Sequence, residues 1–222
     1  LEDSLDSAPT PQRKAELHLQ VAIIARERLR NPDKNLLHLQ AAAEADPGNV
    51  EALWLLACLY MEGASWAPAL DLLSTLQSLL DAATSDERRA EVFLQTARCA
   101  EGLEDQDRAL EEYRLAAELI PNDRRVLYGL GVQSFKAGHY EESQRTLGAL
   151  LAKSERRLDR ATRLQVHLRL GECATKLGDP HTATRHLEQV VEDDPKNQEA
   201  IGAVVDVLES AEEWSEAIRY LE

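Results

Sequence analysis

The chain has 222 residues, with 40 acidic against 25 basic side chains and a formal net charge of −15; such a surface repels phosphate backbones and argues against a nucleic-acid partner. Hydrophobic residues make up 44% and aromatics 5%, and no apolar stretch approaches the roughly 18 residues of a membrane helix, so no direct insertion into a bilayer is expected. Three cysteines, Cys58, Cys99 and Cys173, have neither the number nor the spacing of a disulfide framework or zinc site and read as small apolar helix residues.

Residues 1–12 are polar and Pro-containing and are expected to form a disordered lead-in; 13–222 are expected to form one helical repeat domain. Along it one spacing recurs. A first, weak copy is Leu19, Ala22-Ile23, Asn35, Leu39 and Pro47. Leu53, Leu56-Ala57, Tyr60, Ala69 and Leu73 follow, then Phe93, Thr96-Ala97, Ala100, Ala109, Tyr113 and Pro121. The next copy is Leu127, Leu130-Gly131, Ser134, Ser143 and Leu147. The clearest is His167, Leu170-Gly171, Ala174, Ala183, Leu187 and Pro195, and the last is Ile201, Val204-Val205, Leu208, Ala217 and Leu221.

The leading large residues stand in steps of 34, 40, 34, 40 and 34. The two long steps carry their extra polar residues near 81–89 and 154–163, where they either lengthen the flanking helices or form longer turns. Ala57, Ala97, Gly131 and Gly171 are small because two helices approach closely there, and Leu73, Tyr113, Leu147, Leu187 and Leu221 fill the space between the pair. Pro47, Pro121 and Pro195 end second helices, because Pro lacks a donor and restricts the residue before it. Gly138 and Gly178 suit a turn that needs a positive φ.

A large residue, x2-Leu-Gly-x2-small, then Ala-x3-large and Pro, resembles the tetratricopeptide pattern of about 34 residues; in the first copy Arg26 and Asn35 depart from it. The resemblance implies an all-α fold: a right-handed superhelical solenoid of about six antiparallel helix pairs, the last incomplete, because such units bury their apolar faces only by stacking. It also implies that the first helix of each pair lines a concave face. Mapped onto this chain, that face carries Trp54, Cys58 and Met61, then Leu94, Arg98 and Glu101, then Tyr128, Val132 and Phe135. Leu168, Glu172 and Thr175 follow with Arg169 beside them, and Gly202, Asp206 and Glu209 end it. An apolar groove flanked by charge suits an amphipathic helix or extended peptide. Trp54, Met61, Leu94, Arg98, Tyr128, Phe135, Leu168 and Arg169 are the candidate binding residues: apolar anchors, with two arginines for acidic groups. Some relatives clamp a terminal carboxylate with lysines, asparagines and an arginine; here Gln95 and Gly129 stand where asparagines are needed, so that mode is not expected.

No catalytic or metal motif is found. His18, His38, His139, His167, His181 and His186 include no i, i+4 pair, and there is no His-Glu-x-x-His, Gly-rich phosphate loop or Gly-x-Ser-x-Gly elbow. Glu192-Asp193-Asp194 and Glu212-Glu213 read as solvated charges. The basic run Lys153, Arg156, Arg157, Arg160 and Arg163 reads as a helix face compensated by Glu155 and Asp159. No cofactor is expected. The function expected is a non-catalytic scaffold or adaptor that binds a protein or peptide segment. Two alternatives stay open: an assembly factor of a bacterial envelope or motility complex, acting through its edges and ends, and a regulatory module of a larger enzyme or sensor. An uncapped C-terminal pair would expose apolar surface and allow self-association. The cysteines fit a reducing, cytoplasmic compartment, and a periplasmic one stays open if a signal has been removed.

Overall fold

The structure is a computed structural model that describes residues 10–81 and 83–221, and of Leu221 the backbone alone. Residues 1–9 of the expected lead-in lie outside the described residues; Thr10 already caps the first helix, which begins at Pro11. Among the described residues there are twelve α-helices and no strand. They follow one another as six hairpins: α1 (Pro11–Glu27) and α2 (Pro32–Ala45), α3 (Val50–Glu62) and α4 (Trp66–Leu79), α5 (Asp86–Gly102) and α6 (Gln106–Leu119). The series continues with α7 (Arg124–Lys136) and α8 (Tyr140–Ser154), α9 (Arg160–Lys176) and α10 (Pro180–Asp193), α11 (Gln198–Ser210) and α12 (Trp214–Leu221). The helices form two compact units, one ending at Glu112 and the other beginning at Tyr113.

The first helices of the hairpins alternate in length: 17 residues in α1, α5 and α9, and 13 in α3, α7 and α11. The period of the chain is therefore two hairpins. The short first helices begin at residues 50, 124 and 198, and the second helices of the long hairpins at 32, 106 and 180, in steps of 74. The long steps of the sequence are thus resolved both ways: α5 and α9 gain a turn at their N-termini, and loops at 80–85 and 155–159 precede those helices, the second opening on a 3-10 turn at Glu155–Arg157.

Local chemistry sets the boundaries. Thr10, Ser85 and Asp159 cap the long helices, and Asn49, Asp123 and Asn197 the short ones, each side-chain oxygen accepting from an amide of the first turn; a cap of this kind contributes about 1 kcal/mol. Pro47, Pro121 and Pro195 each stand two residues beyond a second helix, as the spacing predicts. The turn inside every hairpin places one residue in the left-handed region. Gly138 and Gly178 have φ of 77° and 74°, but Arg30, Ala64, Glu104 and Glu212 take the same register with φ of 49–61°. The next amide along closes the turn onto the helix it leaves, as in Ser65 N–H to Tyr60 O at 2.8 Å and Glu213 N–H to Leu208 O at 2.8 Å. This is the Schellman arrangement, which demands a left-handed residue whatever its side chain.

Core packing follows the small–large pattern. A β-carbon on Gly131 would stand 2.4 Å from Leu147 Cδ2, and one on Gly171 2.6 Å from Leu187 Cγ, so those glycines are where the helices meet. In the first unit Leu53, Ala57, Leu70, Leu73, Leu76, Val92 and Cys99 share a cluster. In the second, Leu127, Leu147, Leu150, Val166 and Leu170 form one cluster, and Leu187, Val190, Ala200, Val204 and Leu208 another. Leu19, Ala22 and Leu39 of the weak first copy are buried with Ala42, Ala52 and Leu56, so that copy is a full structural unit.

Candidate interaction faces

In the first unit, Trp54 and Met61 lie one and three turns along α3 and are half-buried, packed against the Leu53–Leu73 cluster. Arg98 on α5 is exposed and its Nη1 donates to Gln95 Oε1 at 3.3 Å. In the second unit, Tyr128 is half-buried against Leu127 and Leu150. Phe135, half-buried on the same helix, carries the Arg169 guanidinium 5.0 Å from its ring centroid and meets Tyr140 edge-on at 5.6 Å. Arg169 also donates to Glu172 Oε2 at 2.5 Å. The stacked arginine is therefore partly neutralised by its own helix before any acidic group arrives.

Two candidate residues are corrected. Leu94 and Leu168 are 1% exposed each and offer no surface to a partner. They occupy one register on the long helices α5 and α9, 74 residues apart. Leu168 belongs to the cluster built with Val190, Ala200 and Val204, so α10 and α11 seal it. The stripe that faces outward on the short helices points into the core at that position of the long ones.

Four of the remaining six share a repeating logic. Trp54 and Tyr128 stand in one register, as do Met61 and Phe135, on two short helices of equal length. Each is half-buried, an arrangement that fixes the ring or thioether while leaving one side for contact. In α11 the equivalent places hold Gly202 and Glu209, so the apolar stripe stops there.

Beside Trp54 lies a cavity of about 420 Å³. Val50 and Trp54 from α3, Leu76 and Leu80 from the end of α4, and Val92 of α5 form its apolar walls. Ser85, Glu87, Arg88 and Glu91, all on the extra N-terminal turn of α5 or next to it, form its rim. Its place follows from the fold, because the added turn projects past the start of α3 and overhangs its first residues.

Several polar relationships escape sequence inspection because they join helices. His18 and His38 face Nδ1 to Nδ1 at 2.9 Å, and His167 and His186 at 3.0 Å. The partners are 20 and 19 residues apart on opposite arms of one hairpin, so an i, i+4 search passes over them. Burial and the neighbouring imidazole hold His186 down at about 4, and burial lowers His167 although Glu155 opposes it. The registers of His38 and His186 also hold Glu112. Glu112 is buried, and its Oε2 accepts from Gln77 Nε2 at 2.7 Å. Burial raises its carboxyl above the ordinary range. An ionisable side chain at this register, buried at His38 and Glu112 and half-buried at His186, is thus part of the repeat. The basic run is compensated differently from the local pairing expected: Arg163 pairs with Asp193 at 3.0 Å, Asp159 caps α9, and Glu155 faces His167 at 3.8 Å. Among the described residues no three of His, Cys, Asp and Glu gather as a metal site, and no helix is long and apolar enough to cross a membrane.

These hairpins, with small residues at the helix contacts and a two-hairpin period, define a helical-repeat protein. The fold is that of the tetratricopeptide-repeat proteins, and residues 165–197, the α9–α10 hairpin, match the tetratricopeptide repeat profile in sequence. YrrB, described as a TPR protein with an unusual peptide-binding site, superposes with a TM-score of 0.67 at 16% identity over 91% of this chain and 94% of its own. MamA from Desulfovibrio magneticus RS-1 gives 0.64 at 16% identity over 83% and 97%. PilF of Pseudomonas aeruginosa gives 0.59 at 16% over 98% and 90%. At these identities the likeness is one of fold. No curated protein matches the sequence.

Proposed function

We propose that the chain is a non-catalytic scaffold that holds a segment of a partner protein against the half-buried apolar stripes of its short first helices. The observation that carries this is the recurrence of Trp54 and Met61 on α3 as Tyr128 and Phe135 on α7 in identical register, all four half-buried. Core packing alone is served by the leucines and alanines beside them; a large aromatic held with one face open is the kind of side chain that dominates interfaces. Arg98 is exposed near the first stripe's neighbour helix, and Arg169 stacks on Phe135, so each unit carries an arginine for acidic or carbonyl groups of the segment. The peptide-binding site described for YrrB, a structural neighbour, lends the same reading support from outside the chain.

The test is the double variant Tyr128→Ala with Phe135→Ala. A partner recovered by chemical cross-linking on the wild-type chain is expected to lose at least about tenfold in affinity by calorimetry, about 1.4 kcal/mol, while helical content persists. Unchanged affinity with the fold intact ends the proposal. A second reading, docking through the last hairpin, is favoured by Trp214 and Ile218, which are 56% and 54% exposed on one face of α12. It predicts that Trp214→Ser with Ile218→Ser, and not the Tyr128 pair, removes the partner.

A further inference from the structure

The two-hairpin period lets one half of the chain serve as a reference for the other. In the second unit Leu150 and Val166 share a core cluster against which Leu158, from the loop before α9, is packed. Their counterparts 74 residues earlier are Leu76 and Val92, two walls of the 420 Å³ cavity. The counterpart of Leu158, 74 residues earlier, is Thr84 in the loop before α5, and its hydroxyl donates to Asp81 Oδ1 at 3.3 Å within that loop. The first unit thus lacks the leucine that the second packs at this place, and there it has an apolar cavity.

The rim differs in the same direction. Glu87, Arg88 and Glu91 stand where the second unit has Ala161, Thr162 and Gln165. Glu87 and Glu91 are one helical turn apart and so share a face of α5, and Arg88 reduces but does not reverse their sign. The chain as a whole carries −15, which adds to the attraction for a basic partner. A small apolar hole edged along α5 by two carboxylates and one arginine matches a bulky apolar side chain with cationic neighbours. An acidic segment would face like charge, and a purely apolar ligand would make no use of the rim.

We propose that the cavity beside Trp54 is an anchor pocket that takes one bulky apolar side chain of a partner segment whose flanking lysine or arginine residues pair with Glu87 and Glu91. This rests on the scaffold reading above and names the chemistry of the segment held in the first unit. The ring of Trp54 forms one wall, so occupation reports directly in tryptophan emission.

The probes are acetylated heptapeptides with a central Phe flanked by Lys on both sides, the same peptide with central Ala, and the same with Glu flanks. The Phe–Lys peptide is expected to bind with a change in tryptophan emission, at least about tenfold more tightly than either control, a difference of about 1.4 kcal/mol. Thr84→Leu, which copies the second unit, is expected to weaken it by a similar factor with helical content unchanged. Glu87→Lys with Glu91→Lys, two surface changes, is expected to transfer preference to the Glu-flanked peptide. If the wild type does not distinguish the three peptides, or if Thr84→Leu and the charge reversal both leave affinity unchanged, the anchor pocket is overturned. Loss of the cross-linked partner in the Tyr128 variant would then leave the scaffold reading standing without it.

Discussion

The Tyr113 ring rests on the bare backbone of Gly129: a β-carbon at residue 129 would stand 2.2 Å from both Cε1 and Cζ. The ring is 3% exposed and has no free direction in which to retreat. Helix propensity alone makes Gly129→Ala favourable by about 1 kcal/mol, but overpacking a close contact costs about 1–3 kcal/mol, so packing wins. Gly129→Ala is expected to lower the urea midpoint. Gly202→Ala, at an exposed position of α11 with nothing within 4 Å of the added carbon, is expected to raise it by the propensity term. Equal shifts of one sign in both variants would contradict this packing account.

The hairpin turns give a second stability prediction. Ala64 and Glu104 hold φ of 52° and 60° because the closing amides, Ser65 to Tyr60 O and Asp105 to Ala100 O at 2.9 Å, fix the turn. A left-handed non-glycine residue costs about 1–2 kcal/mol, while glycine adds entropy to the unfolded chain. Ala64→Gly and Glu104→Gly are each expected to gain about 0.5–1 kcal/mol, and Gly138→Ala to lose a similar amount, in thermal or urea unfolding.

These two predictions mark what the sequence makes legible. Gly131 under Leu147 and Pro47 past α2 are local constraints, written as spacings within one hairpin, and they are read correctly. The turns are harder. Only Gly138 and Gly178 announce themselves; Arg30, Ala64, Glu104 and Glu212 are held left-handed by hydrogen bonds that composition does not reveal. The candidate stripe is half legible: Trp54, Met61, Tyr128 and Phe135 are half-buried, whereas Leu94 and Leu168, in the register of Trp54 and Tyr128, are enclosed in the core. The histidine pairs and the cavity are not legible from single-helix spacing, since each joins separate helices.

Glu112 tests whether a buried carboxyl in the repeat is structural. Burial raises it, and the bonds from Gln77 and the charge of Arg108 only partly offset that. A group raised in the fold gives stability below its unfolded value of 4.5 that is lost as pH rises through the folded value. Glu112→Gln keeps an oxygen to accept from Gln77 and removes the charge. It is expected to be neutral or stabilising at pH 7 and neutral or destabilising near pH 4, whereas Glu112→Leu, which leaves the Gln77 amide only Thr96 Oγ1 as acceptor and removes the partner of Arg108, is destabilising at both. Calorimetric unfolding of the two variants across that range checks the order.

The paired imidazoles set the opposite sign over a higher window. His186, held at about 4 against 6.5 when free, is neutral in the fold while the unfolded chain takes up a proton. Its contribution is therefore present above pH 6.5 and is lost as pH falls from there towards 4. Geometry gives the cause: with His167 Nδ1 at 3.0 Å, one ring's Nδ1–H donates to the other's Nδ1, and a proton added at that acceptor would set two N–H groups face to face. Lys14 and His38 act alike on His18, Arg163 and Arg185 add to the repulsion at the other pair, and Glu155 and Asp193 oppose it. His186→Gln keeps a hydrogen-bonding side chain and removes the titration. The wild type is expected to lose unfolding free energy between pH 6.5 and 4 more steeply than this variant, with the two curves parallel above pH 7. Parallel curves throughout would mean that the imidazoles separate and charge freely within the native hairpin.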